Sequence, residues 1–393
     1  EGFGVADENG TPADATTLFN MASVTKHITA LTILSERDEG LVELDTPVPD
    51  IFPQFQVGGG FDPASVHVRH LLTHTSGLGD WPTEPYVGTD TLVDEFVLNP
   101  NQPLWFQPGT VHDYSNRGYT LAGLLAAQLH GGTFADAVQE RVLDPLGMTT
   151  ATVDAAVAMT RTHARGDSEW DGGWVGPEAY VGEWYMPSGG LWASANDLGA
   201  LLSALANQSV SGFAEGTLAE LGSPVQPTYE YPGAAYGYGL YNDGNEEPTL
   251  YHGGSTGGYL ADLEVRPALG FGVAIVVNTN AWSPSQAGFA ILDHYAGPIP
   301  YPQGTDLLDP STIPGSYDDP WQLGHIDVAE GPNGLQASFT DKGVVRDLEE
   351  LWPGFYACQH PSEDASLDIQ FWPGQDGAAT HFVSRAGVAA RVQ

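Results

Sequence analysis

The chain has 393 residues, about two and a half times an ordinary domain of roughly 150, enough for a two-lobed domain with a sizeable core plus a smaller one. Fifty Asp and Glu against twelve Lys and Arg give a formal charge of −38, which repels phosphate backbones and anionic lipid surfaces and excludes nucleic acid as a partner. One cysteine, Cys358, rules out an internal disulfide, no Cys/His spacing suggests a zinc site, and no apolar run is long enough to span a membrane.

So acidic a surface suits high salt, or seawater outside a cell, where screening relieves self-repulsion. Residue 1 begins EGFGVADENG, with neither a basic nor an apolar leader region, so the expected setting is secreted or periplasmic, with any signal peptide already removed. Residues 2–6, GFGVA, followed by turn-rich DENGTPADA, predict a strand running into a loop. Residues 22–39 predict a helix whose apolar positions, among them Val24, Ile28, Leu31 and Leu34, cover more than one face, which implies burial on most sides; Gly40 stops it.

From about residue 51 to 186, helical segments such as VHVRHLLTHTSGLG, TLVDEFVLN, YTLAGLLAAQLHGG and TFADAVQERVLDPLGM alternate with Pro/Gly loops, predicting a helical lobe. In PSGGLWASANDLGALLSAL, Ser194 and Asp197 stand at capping-box spacing for a further helix. Residues 248–280 predict two strands around the RPALG turn, the second, FGVAIVV, apolar enough for a central buried strand; AGFAILDHYAG then predicts a last helix. The order fits an α+β domain over 1–296, its sheet formed by both chain ends and its helical lobe inserted between. Proline-rich 297–316 reads as a linker, and in 317–393 HIDVAEGPNGLQASFT and LDIQFWPGQDGAATHFV alternate around Gly-containing turns, as in a small all-β domain.

Chemistry concentrates in three places. Ser23 and Lys26, one of two lysines in the chain, lie three apart on the predicted helix and so project from one face; an amine there can activate a hydroxyl, and the helix N-terminus offers N–H groups to an oxyanion. Tyr114-Ser115-Asn116 and His252-Gly253-Gly254 follow in order. Taken in order, Ser-x-x-Lys, Tyr-x-Asn and His-x-Gly resemble the three motifs of the serine β-lactamase and penicillin-binding-protein superfamily, nearest the branch of class C β-lactamases, family VIII carboxylesterases, D-aminopeptidases and D,D-carboxypeptidases. The phrases LFNMASVTKHITA, VRHLLTHTSGL, FQPGTVHDYSNRGY, LGMTTATV and PSGGLWASANDL extend the likeness across roughly residues 2–296. The last eighty residues resemble, more weakly, the lipocalin-like appendage of some members.

The resemblance implies a β-lactamase/transpeptidase-like fold with Ser23 as acylated nucleophile, its own N–H and that of Ser255 forming the oxyanion hole. Lys26 would share protons with Ser23 and Tyr114, Tyr114 would act as general base, and Asn116 would bond substrate and lysine. His252 stands where β-lactamases carry lysine; neutral imidazole grips a substrate carboxylate poorly, which favours esters or amides lacking one. A helix and first strand normally precede the counterpart of GFGVAD; without them the sequence is trimmed or the sheet loses a strand. The expectation is a serine hydrolase without metal or cofactor, first a carboxylesterase on short acyl esters. The alternatives are a D-amino-acid-specific peptidase, amidase or peptide cyclase, and a penicillin-binding protein of weak turnover. Its partner would be a small ester or a peptide or amide; oligomeric state stays open.

Three other patterns carry less. Gly253-Gly254-Ser255-Thr256-Gly257 matches a nucleophile elbow, but a strand pattern and not a helix follows it. His67, His70 and His74 share helical spacing without carboxylates to complete a metal site, and His74 reads as a helix stop. Trp105, Trp184, Tyr236 and Tyr238 are candidates for the cleft, although aromatics mostly fill cores.

Overall fold

The computed structural model describes every residue except 80–102, 169–171, 229–232, 298–307, 321, 353, 363–365, 385–386 and 393. The segment TLVDEFVLN and half of the expected linker lie outside the described residues.

Helix α1 (Thr25–Asp38) is the axis of the larger domain, and residues 25–36 are all buried, as its many-sided apolar pattern requires. It packs against α2 (Asn116–His130), whose N-cap is Ser115 and whose end is set by Gly131 at φ 80°. Val68–Leu72, Phe134–Val138, Asp144–Leu146 and Met186–Gly189 are among the shorter helices on this side. Helix α3 (Ala195–Asn207) begins with the anticipated capping box: Ser194 Oγ accepts from Asp197 N, while the Asp197 carboxylate accepts from Ser194 N. Helix α4 (Ser285–Ala296) follows the sheet. No helix among the described residues is long and apolar enough to cross a membrane.

Six antiparallel strands form that sheet: β1 (Gln226–Pro227), β2 (Ala235–Tyr236), β3 (Tyr241–Asn242), β4 (Leu250–Thr256), β5 (Tyr259–Arg266) and β6 (Phe271–Val277), each beside its sequence neighbour. On β5, Leu263 and Val265 point into the core with Leu198 and Leu201 of α3, while Asp262 and Glu264 point towards Gly288 of α4. The sheet is therefore covered by helices on both faces.

Two expectations are corrected here. FGVAIVV is the edge strand β6, half-buried along its whole length; it is apolar because helices cover both of its faces, not because strands flank it on both sides. Residues 2–6 form no strand of the sheet, and among the described residues only an isolated bridge joins Val5 to Pro12. Asp7 is the reason: its carboxylate accepts from the N–H groups of Asn9 and Thr11 and folds the segment back on itself.

The C-terminal region holds nine antiparallel strands: β7 (Gly315–Asp319), β8 (Gly324–Gly331), β9 (Gly334–Phe339), β10 (Val344–Asp347), β11 (Glu349–Trp352), β12 (Phe355–Gln359), β13 (Ser366–Pro373), β14 (Ala379–Ser384) and β15 (Gly387–Arg391). They run in the order β10-β9-β8-β7-β15-β14-β13-β12-β11. The expected linker thus ends earlier than residue 316, since β7 starts at Gly315. Only Leu348 separates the two outermost strands in sequence, and Arg346 Nε donates to Gln359 O at 3.2 Å, so the sheet curls into a nearly closed barrel. Its interior is filled: Tyr317, Phe339, Phe371 and Phe382 meet with centroid separations of 5.6–6.4 Å. Outside, Trp372, Val383 and Val388 pack on Phe106 and Val111, tying the barrel to the loop that leads into Tyr114.

Candidate active site

Ser23 occupies a 3₁₀ turn, Ala22–Val24, that feeds α1. Ala22 has φ 44°, a left-handed conformation that an alanine holds only where its surroundings enforce it. They do: Asn20 Oδ1 accepts from Ala22 N at 2.9 Å, Thr25 Oγ1 donates to Ala22 O at 2.6 Å, and Met21 N donates to Leu191 O at 2.8 Å. The kinked backbone carries Ser23 into the mouth of a cavity of about 890 Å³.

Lys26 is completely buried. Its Nζ donates to Ser23 Oγ at 3.1 Å, to Asn116 Oδ1 at 2.7 Å and to the carbonyl of Ser188 at 2.8 Å. The same nitrogen lies 4.7 Å from the centroid of the Tyr114 ring and 5.6 Å from that of Tyr119. The structure therefore brings Ser23, Lys26, Tyr114 and Asn116 together, although 90 residues separate the lysine from the asparagine.

Tyr114 and Asn116 flank Ser115, so the start of α2 aims both at Lys26. Sequence reasoning missed the residue behind them. His74, read as a helix stop, accepts from Ser115 N through Nδ1 at 2.9 Å and stacks on Tyr114 with centroids 4.2 Å apart. Its φ of 56° and complete burial mark a position fixed by packing; the phrase THTSGL held the only signal. His67 and His70 form no group with it: they stack on each other, and His70 Nδ1 accepts from His67 N.

Strand β4 forms the opposite wall. Its pairing with β3 stops at Tyr251, so that among the described residues the edge from 252 to 256 has no strand neighbour on that side and lies beside the turn that carries Ser23. Gly253 and Ser255 alternate onto the exposed side and Gly254 onto the buried side. Ser255 lies mid-strand, not at a strand-to-helix turn, so it has no elbow geometry.

His252 is buried and both its ring nitrogens are engaged. Nδ1 donates to Gly253 O at 2.6 Å, since a carbonyl can only accept, and Nε2 therefore accepts from Tyr236 Oη at 3.1 Å. Burial, with the Lys26 charge adding to it, pushes its pKa down to about 3, so the ring is neutral at pH 7. His252 lines the cavity together with Gly253, Gly254 and Ser255; its ring is held by these two bonds, and Gly253 and Ser255 are the exposed positions of the stretch. Buried His112 is likewise held near 3, and burial raises the phenols of Tyr119 and Tyr236, so a neutral layer backs the lysine. Of the four aromatic candidates, Tyr236 and Tyr238 are core, Trp105 packs towards the barrel, and Trp184 stands edge-on to Tyr185 at 5.7 Å without lining the cavity; Tyr180, Tyr185 and Tyr241 line it.

Gly254 is where the wall and the turn touch. A Cβ at that position would lie 2.3 Å from Met21 O and 3.2 Å from Ser23 N. Gly254→Ala is expected to push β4 off the turn and cut kcat about a hundredfold, the scale of a misplacement near 1 Å. Gly253→Ala, with nothing nearer than Ala261 O at 4.0 Å, should lose far less. Kinetics with one ester substrate would check the contrast.

Comparison with known proteins gives the chain its relatives. A family model described as Beta-lactamase matches residues 1–296. Esterase EstB of Burkholderia gladioli is 38% identical over 162 residues, 37% of this chain and 41% of that protein. The D-aminopeptidase of Gluconobacter oxydans is 28% identical over 341 residues, 80% of this chain and 59% of that protein, so these matches span about two to three fifths of the relatives' lengths. Among solved structures, the crystal structure of SurE shares the fold with TM-score 0.70 at 22% identity, covering 99% of this chain and 91% of that one. The octameric penicillin-binding protein homologue from Pyrococcus abyssi does so with TM-score 0.67 at 21% identity, covering 98% and 91%. With a family model matched over three quarters of its length, the chain belongs to the Beta-lactamase family, within a superfamily of serine hydrolases that includes esterases and D-aminopeptidases.

Proposed function

We propose that this chain hydrolyses small acyl substrates, short esters first, through an acyl-enzyme on Ser23. The observation that carries the reading is the buried Lys26 ammonium held between Ser23 Oγ, Asn116 Oδ1 and the Tyr114 ring. A phenol becomes a useful base where a neighbouring cation stabilises its phenolate, and a desolvated lysine is the side chain best able to pass a proton on. Ser23 Oγ attacks the ester carbonyl carbon while its proton passes to Tyr114, directly or by way of Lys26. The oxyanion is received by the N–H groups of Ser23 and Ser255. Collapse expels the alcohol, which takes the proton back, and Tyr114 then activates the water that releases the acid.

Neutral His252, and a cavity whose described lining contains no Lys or Arg, supply no fixed cation for a substrate carboxylate, which favours esters over β-lactams. A D-amino-acid-specific peptidase or amidase is the second reading, supported by the likeness to a D-aminopeptidase and by the barrel residues that line the cavity. Initial rates on p-nitrophenyl butyrate, D-alanine p-nitroanilide and nitrocefin separate the cases. The ester should turn over fastest and nitrocefin slowest. Turnover of none, with a stable covalent adduct by mass spectrometry, would favour a penicillin-binding protein, and absence of any adduct would reject the acyl-enzyme.

A further inference from the structure

Tyr114, the base of the reading above, is not part of helix α2; it precedes the N-cap Ser115. A side chain on a loop is aimed less precisely than one on a helix unless a neighbouring segment holds it. Here one residue grips the chain on both sides of the tyrosine. His74 O accepts from Asp113 N at 2.8 Å, and His74 Nδ1 accepts from Ser115 N at 2.9 Å. Between these bonds the imidazole stacks on the Tyr114 ring, centroids 4.2 Å apart and planes 29° from parallel. His74 has φ 56°, a conformation that costs a non-glycine residue free energy and persists where contacts such as these enforce it. The residues that follow it are tied to the same helix start: Ser115 Oγ donates to Leu78 O and accepts from Gly118 N.

The hydrogen bond also settles the charge of the ring. A backbone N–H can only donate, so Nδ1 is bare, Nε2 carries the proton and the imidazole is neutral. It brings no charge of its own to Tyr114, and the Lys26 ammonium, 4.7 Å from the phenol centroid, is what favours the phenolate. Around Tyr114 also stand His112 and Asp113 of its own loop, Tyr119 of α2, Tyr236 of β2 and His252 of β4. His74 does not line the cavity, so it reaches substrate only through what it holds.

We infer that His74 is the positioning residue of the general base, holding the Tyr114 phenol beside the Lys26 ammonium and thereby setting the pH above which the base is ionised. The inference rests on the acyl-enzyme reading above.

The test is the pH dependence of p-nitrophenyl butyrate hydrolysis by wild type, His74→Phe and His74→Asn, each shown to be folded by its thermal melt. His74→Phe keeps an aromatic ring but offers Ser115 N no acceptor. It should lower kcat about a hundredfold and leave KM within about twofold of wild type, the pattern of a group needed only in the transition state. It should also move the acid limb of the kcat/KM profile up by about one pH unit, because a phenolate farther from its cation is less favoured. His74→Asn keeps an acceptor and tolerates positive φ but lacks the stacking ring, so it should fall between wild type and His74→Phe on both counts. The neighbouring titratable groups are the same in all three proteins, so a shift between profiles reports the placement of Tyr114. An acid limb unmoved or moved down in either folded variant, whatever happens to kcat, overturns the inference, since lost packing alone slows the reaction without moving an ionisation. Fluorophosphonate labelling of Ser23 in the wild type separates the two failures: labelling with an unmoved limb rejects the role of His74 alone, whereas no labelling rejects the acyl-enzyme itself.

Discussion

Ser23→Ala is expected to abolish covalent labelling by a fluorophosphonate and to lower ester hydrolysis by at least about a thousandfold, whereas Ser255→Ala should still be labelled. The asymmetry follows from what each serine contributes. Ser23 offers its hydroxyl, 3.1 Å from a buried ammonium and presented by a kinked turn. Ser255 offers its backbone N–H, which alanine keeps, from the middle of an extended strand. Intact mass spectrometry followed by peptide mapping reads the result. A label that persists in Ser23→Ala and vanishes in Ser255→Ala would reverse the assignment.

Lys26→Arg should be nearly as damaging, with hydrolysis falling by about a thousandfold although the charge is retained. Arginine is effectively always protonated and cannot shuttle a proton, and its planar fork does not fit a slot shaped for one compact donor. At least three acceptors stand around Nζ, enough to engage every N–H donor of an ammonium. Lys26→Met fills the slot without a donor and removes the bonds to Asn116 Oδ1 and Ser188 O, at a cost of about 1–3 kcal/mol for a buried acceptor whose bond is left unmade. Thermal melts and kinetics together make the check: a stable Lys26→Arg enzyme with near-normal kcat would remove the lysine from the proton path.

Much of the fold could be read locally because its signals are local. A serine and a lysine three apart fall on one helical face whatever surrounds them, and the box at Ser194 and Asp197 needs nothing beyond its own turn. FGVAIVV was misjudged because apolar content reports covered faces and is silent about the two edges of a strand. The N-terminal GFGVA was misjudged because Asp7, a single side chain, decides which way the segment turns. His74 behind Tyr114 and the barrel residues of the cavity were invisible for a different reason: Asp368 lies 345 residues beyond Ser23 in the sequence, and contacts over such separations leave no periodicity to read. The site around Ser23 was legible as motif spacing; the part of the cavity wall supplied by the barrel was not, because it belongs to a second domain pressed against the first.

The filled interior of that barrel has a consequence for how such a chain diversifies. Along β13, Leu367, Ile369 and Phe371 face inward and hold the barrel together, while Asp368 and Gln370 between them face the cavity. Alternate positions of one strand therefore answer to separate demands, and the outward ones can be exchanged without disturbing the residues that keep the scaffold folded. Single changes on this outer row would reshape the cavity wall while leaving Ser23 and the buried Lys26 untouched.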